Sequence, residues 1–303
     1  MVTDLSIIVV NWNTKDLLAQ CLRSLYDTVR NLDFEVIVVD NASTDGSQAT
    51  VGDHFPQTRL IENQKNEGFA QANNQAICAS HGRYVLLLNS DTIVQPGALE
   101  AMVHFAERHP EAGIVGCKLL NTDGSLQPSW AQFPTLWSEL MGRNFRKRRP
   151  VVDEPAYEVD WVGGACLLAR RKAIEMVGLL DENFFMYSEE TDWCFRMVRN
   201  GWKVYYLPGA EVVHFGGGSS QQASDEMLAQ LYQSKLCFFR KHYGPSREGL
   251  LRMSLIITAL ARGCGLAILS LLKQSSNPGK CSHKRHLMLA GKLLRRQRTD
   301  LEH

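Results

Sequence analysis

Two aspartates in this sequence follow apolar runs, at places where a strand would end. Asp40 follows Val36–Val39, and Asp91 comes shortly after Leu86–Leu88. A carboxylate at a strand tip can accept hydrogen bonds from a ribose or a base, and one carboxylate together with substrate phosphates is enough to hold Mg²⁺. The alternative for each is structural, because Asp is a favoured residue in turns and at helix N-termini. Taken singly, neither residue decides between these interpretations.

Three further carboxylates lie within four residues at the start of a predicted helix. Glu189 and Asp192 would share one face of that helix, and Glu190 would point about 100° away. Acidic residues in a first turn commonly complement the helix dipole. Beside the run Phe184–Tyr187 they would also form a partly desolvated acid–base site. His214 ends a later apolar run, where a packed core histidine is the alternative to a ligand.

Strands and helices alternate through the first 120 residues and would position the two aspartates. The apolar runs predict strands at 5–10, 34–39, 59–62, 84–88 and 113–117, and helical patterns lie at about 15–29, 45–54, 68–80 and 97–108. This alternation predicts the α/β class, a Rossmann-like and mostly parallel sheet with helices on both faces. Such sheets bind ligands at the carboxyl ends of their strands, where Asp40 and Asp91 lie.

The rest of the chain divides into three stretches. Residues 121–158 hold four prolines and a basic run at 146–149, which predicts a long irregular loop. Regular patterns return as strands at 159–169, 203–207 and 211–215 and helices at 171–177 and 188–200. From 223 onward the pattern is helical and basic, so we predict a domain at 1–222 followed by a C-terminal helical region at 223–303.

Composition narrows the classes of function. The chain has 303 residues, 45% of them hydrophobic, so it can form a sizeable core. Its eight cysteines include no C-x-x-C pair, which excludes a zinc-finger pattern and argues against a disulfide scaffold. Neither a G-x-G-x-x-G nor a P-loop motif occurs, so hydride transfer and P-loop phosphoryl transfer lose support. The N-terminus lacks the pattern of a cleaved signal peptide, and we expect a cytoplasmic protein.

Charge is distributed unevenly along the chain. Residues 1–230 carry a net charge of −10, and residues 231–303 carry +11. The apolar stretch 250–272 is interrupted by Arg252 and Arg262, which disfavours a membrane span and favours a helix lying in the interface of an anionic membrane. The alternative is a helix packed on the rest of the protein. Nucleic-acid binding is a weaker interpretation, because no recognised module accompanies the charge.

Six segments, taken in order, resemble the family 2 glycosyltransferases of the GT-A fold, and among them the bacterial rhamnosyltransferase-like branch. The resemblance covers residues 5 to about 220. The segments are SIIVVNWN, VVDNASTDGS, NEGFAQANNQA, LLLNSDT, DWVGGACLLARR and DENFFMYSEETDWCFRMVRNGW.

The resemblance implies a role for each residue that these segments share with the family. Residues of the nucleotide-binding side would be Asn11, Asp40, Gly68, Asn73, Asn89 and Asp91. Asn89-Ser90-Asp91 takes the place of the family's D-x-D, with Asp91 and His214 as metal ligands and Asn89 in place of the first Asp. Glu190 would be the catalytic base, with Glu189 and Asp192 beside it. Gly163 and Gly164 would line the acceptor side.

The activity implied is a metal-dependent, inverting sugar transfer with Mg²⁺ or Mn²⁺ as cofactor. The resemblance favours rhamnose from dTDP-rhamnose as donor and a lipid-linked glycan as acceptor, in surface polysaccharide synthesis at the inner face of the cytoplasmic membrane. The chemistry needs a neutralised diphosphate leaving group and a base within reach of the acceptor hydroxyl. The alternatives are a UDP-hexose-dependent enzyme of the same family and a non-catalytic module that binds nucleotide sugars. Nucleic acid is not an expected partner.

Overall fold

The computed structural model describes residues 3–140, 156–216, 224–272 and 288–293. The basic run 146–149 and the cations Lys280, Lys284, Arg285, Arg295, Arg296 and Arg298 lie outside these residues. The chain divides into two compact units. The first comprises Met1–Phe133 and Arg146–Gln222, and the second comprises Pro134–Phe145 and Ala223–His303. Part of the predicted irregular loop thus belongs to the second unit.

A large sheet with helices on both faces forms the first unit. The strands of the described residues are β1 (Leu5–Asn11), β2 (Phe34–Asp40), β3 (Arg59–Glu62), β4 (Tyr84–Asn89), β5 (Thr92–Val94), β6 (Ala112–Leu120), β7 (Leu126–Gln127), β8 (Trp130–Ala131), β9 (Tyr157–Glu158), β10 (Trp161–Val162), β11 (Cys166–Arg170) and β12 (Lys203–His214). The helices of this unit are α1 (Lys15–Thr28), α2 (Ser47–His54), α3 (Phe69–Ala79), α4 (Ala98–Arg108), α6 (Arg171–Val177) and α7 (Glu189–Arg199), and α5 (Leu136–Leu140) belongs to the second unit.

The sheet has the order β3-β2-β1-β4-β11-β6-β12-β5. The first four of these strands are parallel, β11 runs antiparallel to both of its neighbours, and β6 and β12 are parallel to each other. The predicted Rossmann-like α/β class is confirmed. Each of the first four predicted strands ends within one residue of the observed strand, because a buried parallel strand is read as a continuous apolar run.

Alternate side chains of β1 enter two separate cores. Ile7 packs on one face with Leu22 of α1, whereas Ile8 packs on the other face with Ala76 of α3 and Trp193 of α7. All five side chains are fully buried or nearly so. Covering both faces leaves the strand ends as the accessible part of the sheet, so polar residues there can meet a ligand.

The structure differs from the predicted elements at two places. The two strands expected at 203–207 and 211–215 form the single strand β12, with an irregular register between Leu207 and Glu211. Pro208 lies at that irregularity and has no N–H to donate to the sheet, which accounts for the break in the pattern. The regular pattern at 159–169 forms two strands, β10 and β11, which are separated by Gly163, Gly164 and Ala165.

Helices α8 (Ser224–Tyr243) and α9 (Pro245–Leu272) form most of the described second unit. Leu251, Ile256 and Ala259 of α9 are buried. Arg252 donates to the buried carboxylate of Glu248 (2.7 Å) and to the backbone carbonyl of Leu293 (2.8 Å), so its charge is held inside this unit. The side chain of Arg262 is outside the described part. Of the helices that the structure describes, none combines the length and apolarity needed to cross a membrane.

Candidate active site

The loops after β1 and β2 are joined by a buried hydrogen-bond network centred on Asp40. The Asp40 carboxylate accepts from the side chain of Asn11 (2.9 Å), from the backbone N–H of Ser43 (2.8 Å) and from the side chain of Gln48 (2.7 Å). Asp40 and Asn11 are both fully buried. These contacts show Asp40 shaping the two loops, and its direct contact with a nucleotide stays a prediction.

Two residues of these loops have backbone conformations that L-amino acids rarely adopt. Asn13 has φ 51° and Ala42 has φ 60°. The side chain of Asn13 accepts from the backbone N–H of Thr44 (2.7 Å), which closes one loop onto the other. Thr14 is hydrogen-bonded to Ser90 (2.8 Å), so the network extends to the loop after β4. Backbone strain of this kind persists where surrounding contacts stabilise the conformation, and it is commonest at functional sites.

Gly68 lies at a close approach between the loop before α3 and the loop before α7. Its φ is 83°, and a Cβ there would lie 2.5 Å from the backbone carbonyl oxygen of Phe185. The next residue, Phe69, donates its N–H to that same oxygen (2.7 Å). Asn73 is buried and donates to the carbonyl of Phe69 (2.8 Å). Both predicted residues therefore organise this junction, and contacts with a nucleotide stay predictions for them too.

Sequence reasoning missed the neighbouring Asn74. Its side chain donates to the carbonyl of Leu180 (2.9 Å) and to Glu182 (2.9 Å), and it accepts from the N–H of Leu180 (3.1 Å). These hydrogen bonds of Asn74 connect α3 to the beginning of the loop that leads into α7. A second asparagine beside Asn73 in the middle of a predicted helix was the available signal, because Asn is unfavourable in helix interiors unless its side chain is used.

Asp91 and His214 meet at the end of the sheet. Thr92 of β5 pairs with His214 of β12, which brings the carboxylate Oδ1 of Asp91 within 3.3 Å of Nε2 of His214. The side chain of Asn89 also lies 3.3 Å from this Nε2. On the other side of the ring, Nδ1 of His214 lies 2.6 Å from Oε1 of Gln127 in β7.

This arrangement fits a divalent cation. In the tautomer that carries its proton on Nδ1, the Nδ1–H donates to Oε1 of Gln127 and Nε2 is left as an acceptor beside Oδ1 of Asp91. A carboxylate oxygen is a ligand for both Mn²⁺ and Mg²⁺, an imidazole nitrogen suits Mn²⁺ better than Mg²⁺, and a substrate diphosphate would supply further oxygens. No cluster of three or more His, Cys, Asp or Glu residues suited to a metal occurs among the described residues.

Glu189 and Glu190 begin α7 immediately after two residues with left-handed backbone conformations. Tyr187 has φ 69° and Ser188 has φ 68°. Glu189 is buried, and Glu190 is partly buried. Each has a buried carboxylate oxygen, Oε2, with no hydrogen-bond partner within the described chain. Burial raises the pKa of both carboxyl groups, and the charge of Glu190 raises that of Glu189 further.

Gly164 lies against Glu190 and connects it to the end of β4. A Cβ on Gly164 would lie 3.7 Å from Cβ of Glu190. The next residue, Ala165, accepts at its carbonyl from the N–H of Asn89 (3.0 Å). Because β4 and β11 are neighbouring strands, Glu190 of α7 and the loop that carries Asp91 lie at the same end of the sheet. Gly163 donates its N–H to the carbonyl of Ser129 (2.8 Å), which fixes the glycine pair.

Asp192 has a different environment from the two glutamates. Its side chain is fully buried, and its carboxylate accepts from Nε of Arg196 (2.8 Å), one turn along α7. Arg196 also donates to the carbonyls of Val177 (3.0 Å) and Leu179 (2.7 Å). We interpret Asp192 as a residue that anchors α7, and a catalytic part for it stays a prediction.

A family model agrees with this arrangement. The model described as Glycosyl transferase family 2 matches residues 6–178, more than half of the chain. The chain belongs to glycosyltransferase family 2. The match ends before Glu189, so the elements it covers are those of the parallel strands, the Asn89-Ser90-Asp91 loop and the two glycines.

Curated relatives place this family 2 glycosyltransferase in the rhamnosyltransferase-like branch. The N-acetylglucosaminyl-diphospho-decaprenol L-rhamnosyltransferase of Mycobacterium tuberculosis is 32% identical over 235 residues, which are 69% of this chain and 76% of the relative. Rhamnosyltransferase WbbL of Escherichia coli K12 is 28% identical over 49% of this chain and 61% of its own length. The resemblance of the six segments to that branch is thereby confirmed.

Solved structures confirm the GT-A fold of this family 2 glycosyltransferase. The mannosyltransferase PcManGT of Pyrobaculum calidifontis, solved with GDP-Man and Mn²⁺, superposes with a TM-score of 0.56 at 17% sequence identity. The superposition covers 97% of this chain and 86% of that protein. At this identity the likeness concerns the fold.

The contact between Gln127 and His214 gives a prediction for this family 2 glycosyltransferase. Gln127→Ala removes the acceptor that fixes Nδ1–H, so the imidazole should populate both neutral tautomers, which ¹⁵N NMR of the histidine ring would detect. Mn²⁺ affinity in the presence of dTDP should fall about 10- to 100-fold, the usual effect of losing a residue that orients a metal ligand. Gln127→Glu keeps the acceptor and should keep the tautomer. Unchanged ring shifts and metal affinity in Gln127→Ala would contradict this assignment.

Burial of Glu189 gives a second prediction, on stability. Its pKa in the folded chain lies well above the usual 4.5, so the folded state binds the proton more strongly and stability falls as pH rises through the folded pKa. Glu189→Gln should leave the melting temperature nearly unchanged below about pH 4.5 and raise it at about pH 8. The rise should be roughly 2–4 °C per kcal/mol of relieved cost.

Thermal melts at the two pH values would test this, with Glu62→Gln at an exposed position as the matched control. Equal melting temperatures for Glu189→Gln and the parent chain at both pH values would show that the buried carboxylate does not destabilise the folded chain.

Proposed function

We propose that this family 2 glycosyltransferase transfers a rhamnosyl group from dTDP-rhamnose to a lipid-linked glycan, with inversion at the anomeric carbon. The convergence of Glu190 and the Asp91–His214 pair at one end of the sheet carries the proposal. The names of the two rhamnosyltransferase relatives support the sugar, and the first of them names a diphospho-decaprenol glycan. Such an enzyme would act in surface polysaccharide synthesis, at the cytoplasmic face of the membrane.

In the proposed reaction the acceptor hydroxyl oxygen forms a bond to the anomeric carbon while the bond from that carbon to the diphosphate breaks. Glu190 takes the hydroxyl proton, and the diphosphate leaves with the electron pair. A raised pKa suits a general base that works near neutral pH. No covalent intermediate with the protein is needed.

Asp91 and His214 would hold a divalent cation on the diphosphate side. When bound, the ion neutralises charge on the leaving group. Asn89 and Gln127 keep the ring of His214 in place for this task. Gly163 and Gly164 leave room beside Glu190, because neither presents a side chain to an incoming sugar.

A screen of donors against one acceptor tests the proposal. Purified chain would be incubated with dTDP-, UDP- and GDP-linked sugars, with Mn²⁺ or Mg²⁺, and with a short prenyl-diphosphate glycan. We expect product with dTDP-rhamnose and inverted anomeric configuration. Preference for a UDP-hexose would overturn the proposed donor. Nucleotide-sugar binding without turnover of any donor would instead indicate a non-catalytic binding module.

A further inference from the structure

Helix α9 presents apolar side chains on two opposite faces. One face carries the buried residues Leu251, Ile256 and Ala259. The opposite face carries large apolar residues that are 41–60% exposed, at helical spacings of three, four and three: Leu250, Met253, Ile257 and Leu260. Large apolar side chains that share one exposed face commonly mark an interaction surface. We therefore expect a binding partner to cover the exposed face.

Helix α5 of the same unit also exposes large apolar side chains. It packs against α9 and exposes Trp137 (62%) and Leu140 (50%). Exposed tryptophan beside aliphatic residues is typical of proteins that enter the interfacial region of a bilayer, because the indole is apolar with one polar N–H.

Exposed cations lie near the turn between α8 and α9, which precedes the exposed face. Arg240 and Lys241 near the end of α8 and Arg247 near the start of α9 are all exposed, and Arg247 precedes Leu250 by one turn. Two other cations of the unit are partly buried, where Lys235 pairs with Glu139 and Arg252 pairs with Glu248. Residues 231–303 carry 14 Lys and Arg against three Asp and Glu.

We propose that the exposed face of α9, with α5 and the cations of the α8–α9 turn, is a docking surface for an anionic lipid bilayer. Apolar burial and attraction to anionic headgroups act together in stable peripheral binding. A second copy of the chain is a poorer occupant, because a symmetric contact through this face would bring two strongly basic segments together. The inference deepens the proposed function, because a lipid-linked acceptor is presented at a bilayer.

The experiment measures binding of the full chain to vesicles and requires no turnover. Sedimentation would be compared for vesicles of phosphatidylcholine with and without phosphatidylglycerol. We expect binding to the anionic vesicles, weakened by high salt. The double change Met253→Glu and Ile257→Glu should lower the partition coefficient at least about tenfold, since it removes two apolar contacts and adds two negative charges.

A matched control separates charge from position. Thr258→Glu adds a negative charge at an exposed site of the same helix, outside the apolar face, and should reduce binding no more than about fivefold. Circular dichroism melts would confirm that all variants fold. Equal binding by the double variant and the parent chain would overturn the proposal. So would self-association of the parent chain that the double variant abolishes, because the occupant would then be a second copy.

The vesicle result and the donor screen fail independently. Binding to vesicles without transfer of any sugar would leave the docking surface standing and remove the proposed function. Transfer to a water-soluble acceptor without vesicle binding would do the reverse.

Discussion

Replacing Asp91 by alanine should lower the rate of sugar transfer about 10³-fold or more and abolish the effect of Mn²⁺ on dTDP affinity. The carboxylate lies 3.3 Å from Nε2 of His214, so it supplies the anionic half of the proposed cation site. Neutralising charge on a leaving diphosphate is worth several kcal/mol, and each 1.4 kcal/mol corresponds to about a tenfold change in rate. Calorimetric titration of dTDP with and without Mn²⁺ measures the binding part directly.

Controls for Asp91→Ala must separate the lost ligand from lost structure. Asp91→Asn keeps the shape and should behave similarly, since an amide is a far weaker ligand than a carboxylate. Asp53→Asn, at an exposed position in α2, should have no effect. If dTDP binds the parent chain equally well with and without Mn²⁺, and Asp91→Ala changes neither affinity, the assignment of Asp91 to a cation site is wrong.

Replacing Glu190 by glutamine should lower transfer by about 10²–10⁴-fold while leaving donor binding nearly unchanged. Glutamine keeps the shape beside Gly164 but cannot accept the acceptor proton. The loss should appear in kcat, because the group acts in the transition state. Its pH dependence is a second readout. The raised pKa predicts that activity of the parent chain rises with pH through a value above the usual 4.5, and this limb should vanish in Glu190→Gln.

The two neighbouring carboxylates serve as comparisons for Glu190→Gln. Glu189→Gln removes a carboxylate that is almost fully buried, and Asp192→Asn removes the partner of Arg196. Both should retain more activity than Glu190→Gln. If either one loses activity as strongly while Glu190→Gln is mild, the base lies at that position.

Much of the fold could be predicted from the sequence because its strands are buried on both faces. Such strands leave continuous apolar runs that end sharply, and the polar residues after them mark the edge where ligands bind. This pattern identified Asp91 and His214 in the sequence, since each comes at the end of an apolar run. Their meeting required the pairing of β5 with β12, which no local pattern reveals.

The contacts between the site residues were harder to predict from the sequence. Gln127 lies 87 residues before His214, in a strand of two residues inside a stretch with no regular pattern. Tyr187 and Ser188 adopt left-handed conformations without being glycine, so the direction in which α7 begins could not be deduced. The pairs Asp192–Arg196 and Glu248–Arg252 have the i,i+4 spacing of helical ion pairs and were visible in principle.

The reversed direction of β11 lets two distant stretches of the chain meet at one end of the sheet. The residues proposed for the donor side follow the ends of β1, β2 and β4, whereas the glycine pair proposed for the acceptor side precedes the start of β11, which runs antiparallel to β4. The chain between β6 and β11 also contains Gln127, so a change of length that keeps the contact with His214 would have to fall after β7. We expect a lineage with this topology to vary its acceptor by changes in that part of the chain while it keeps the residues around Asp91.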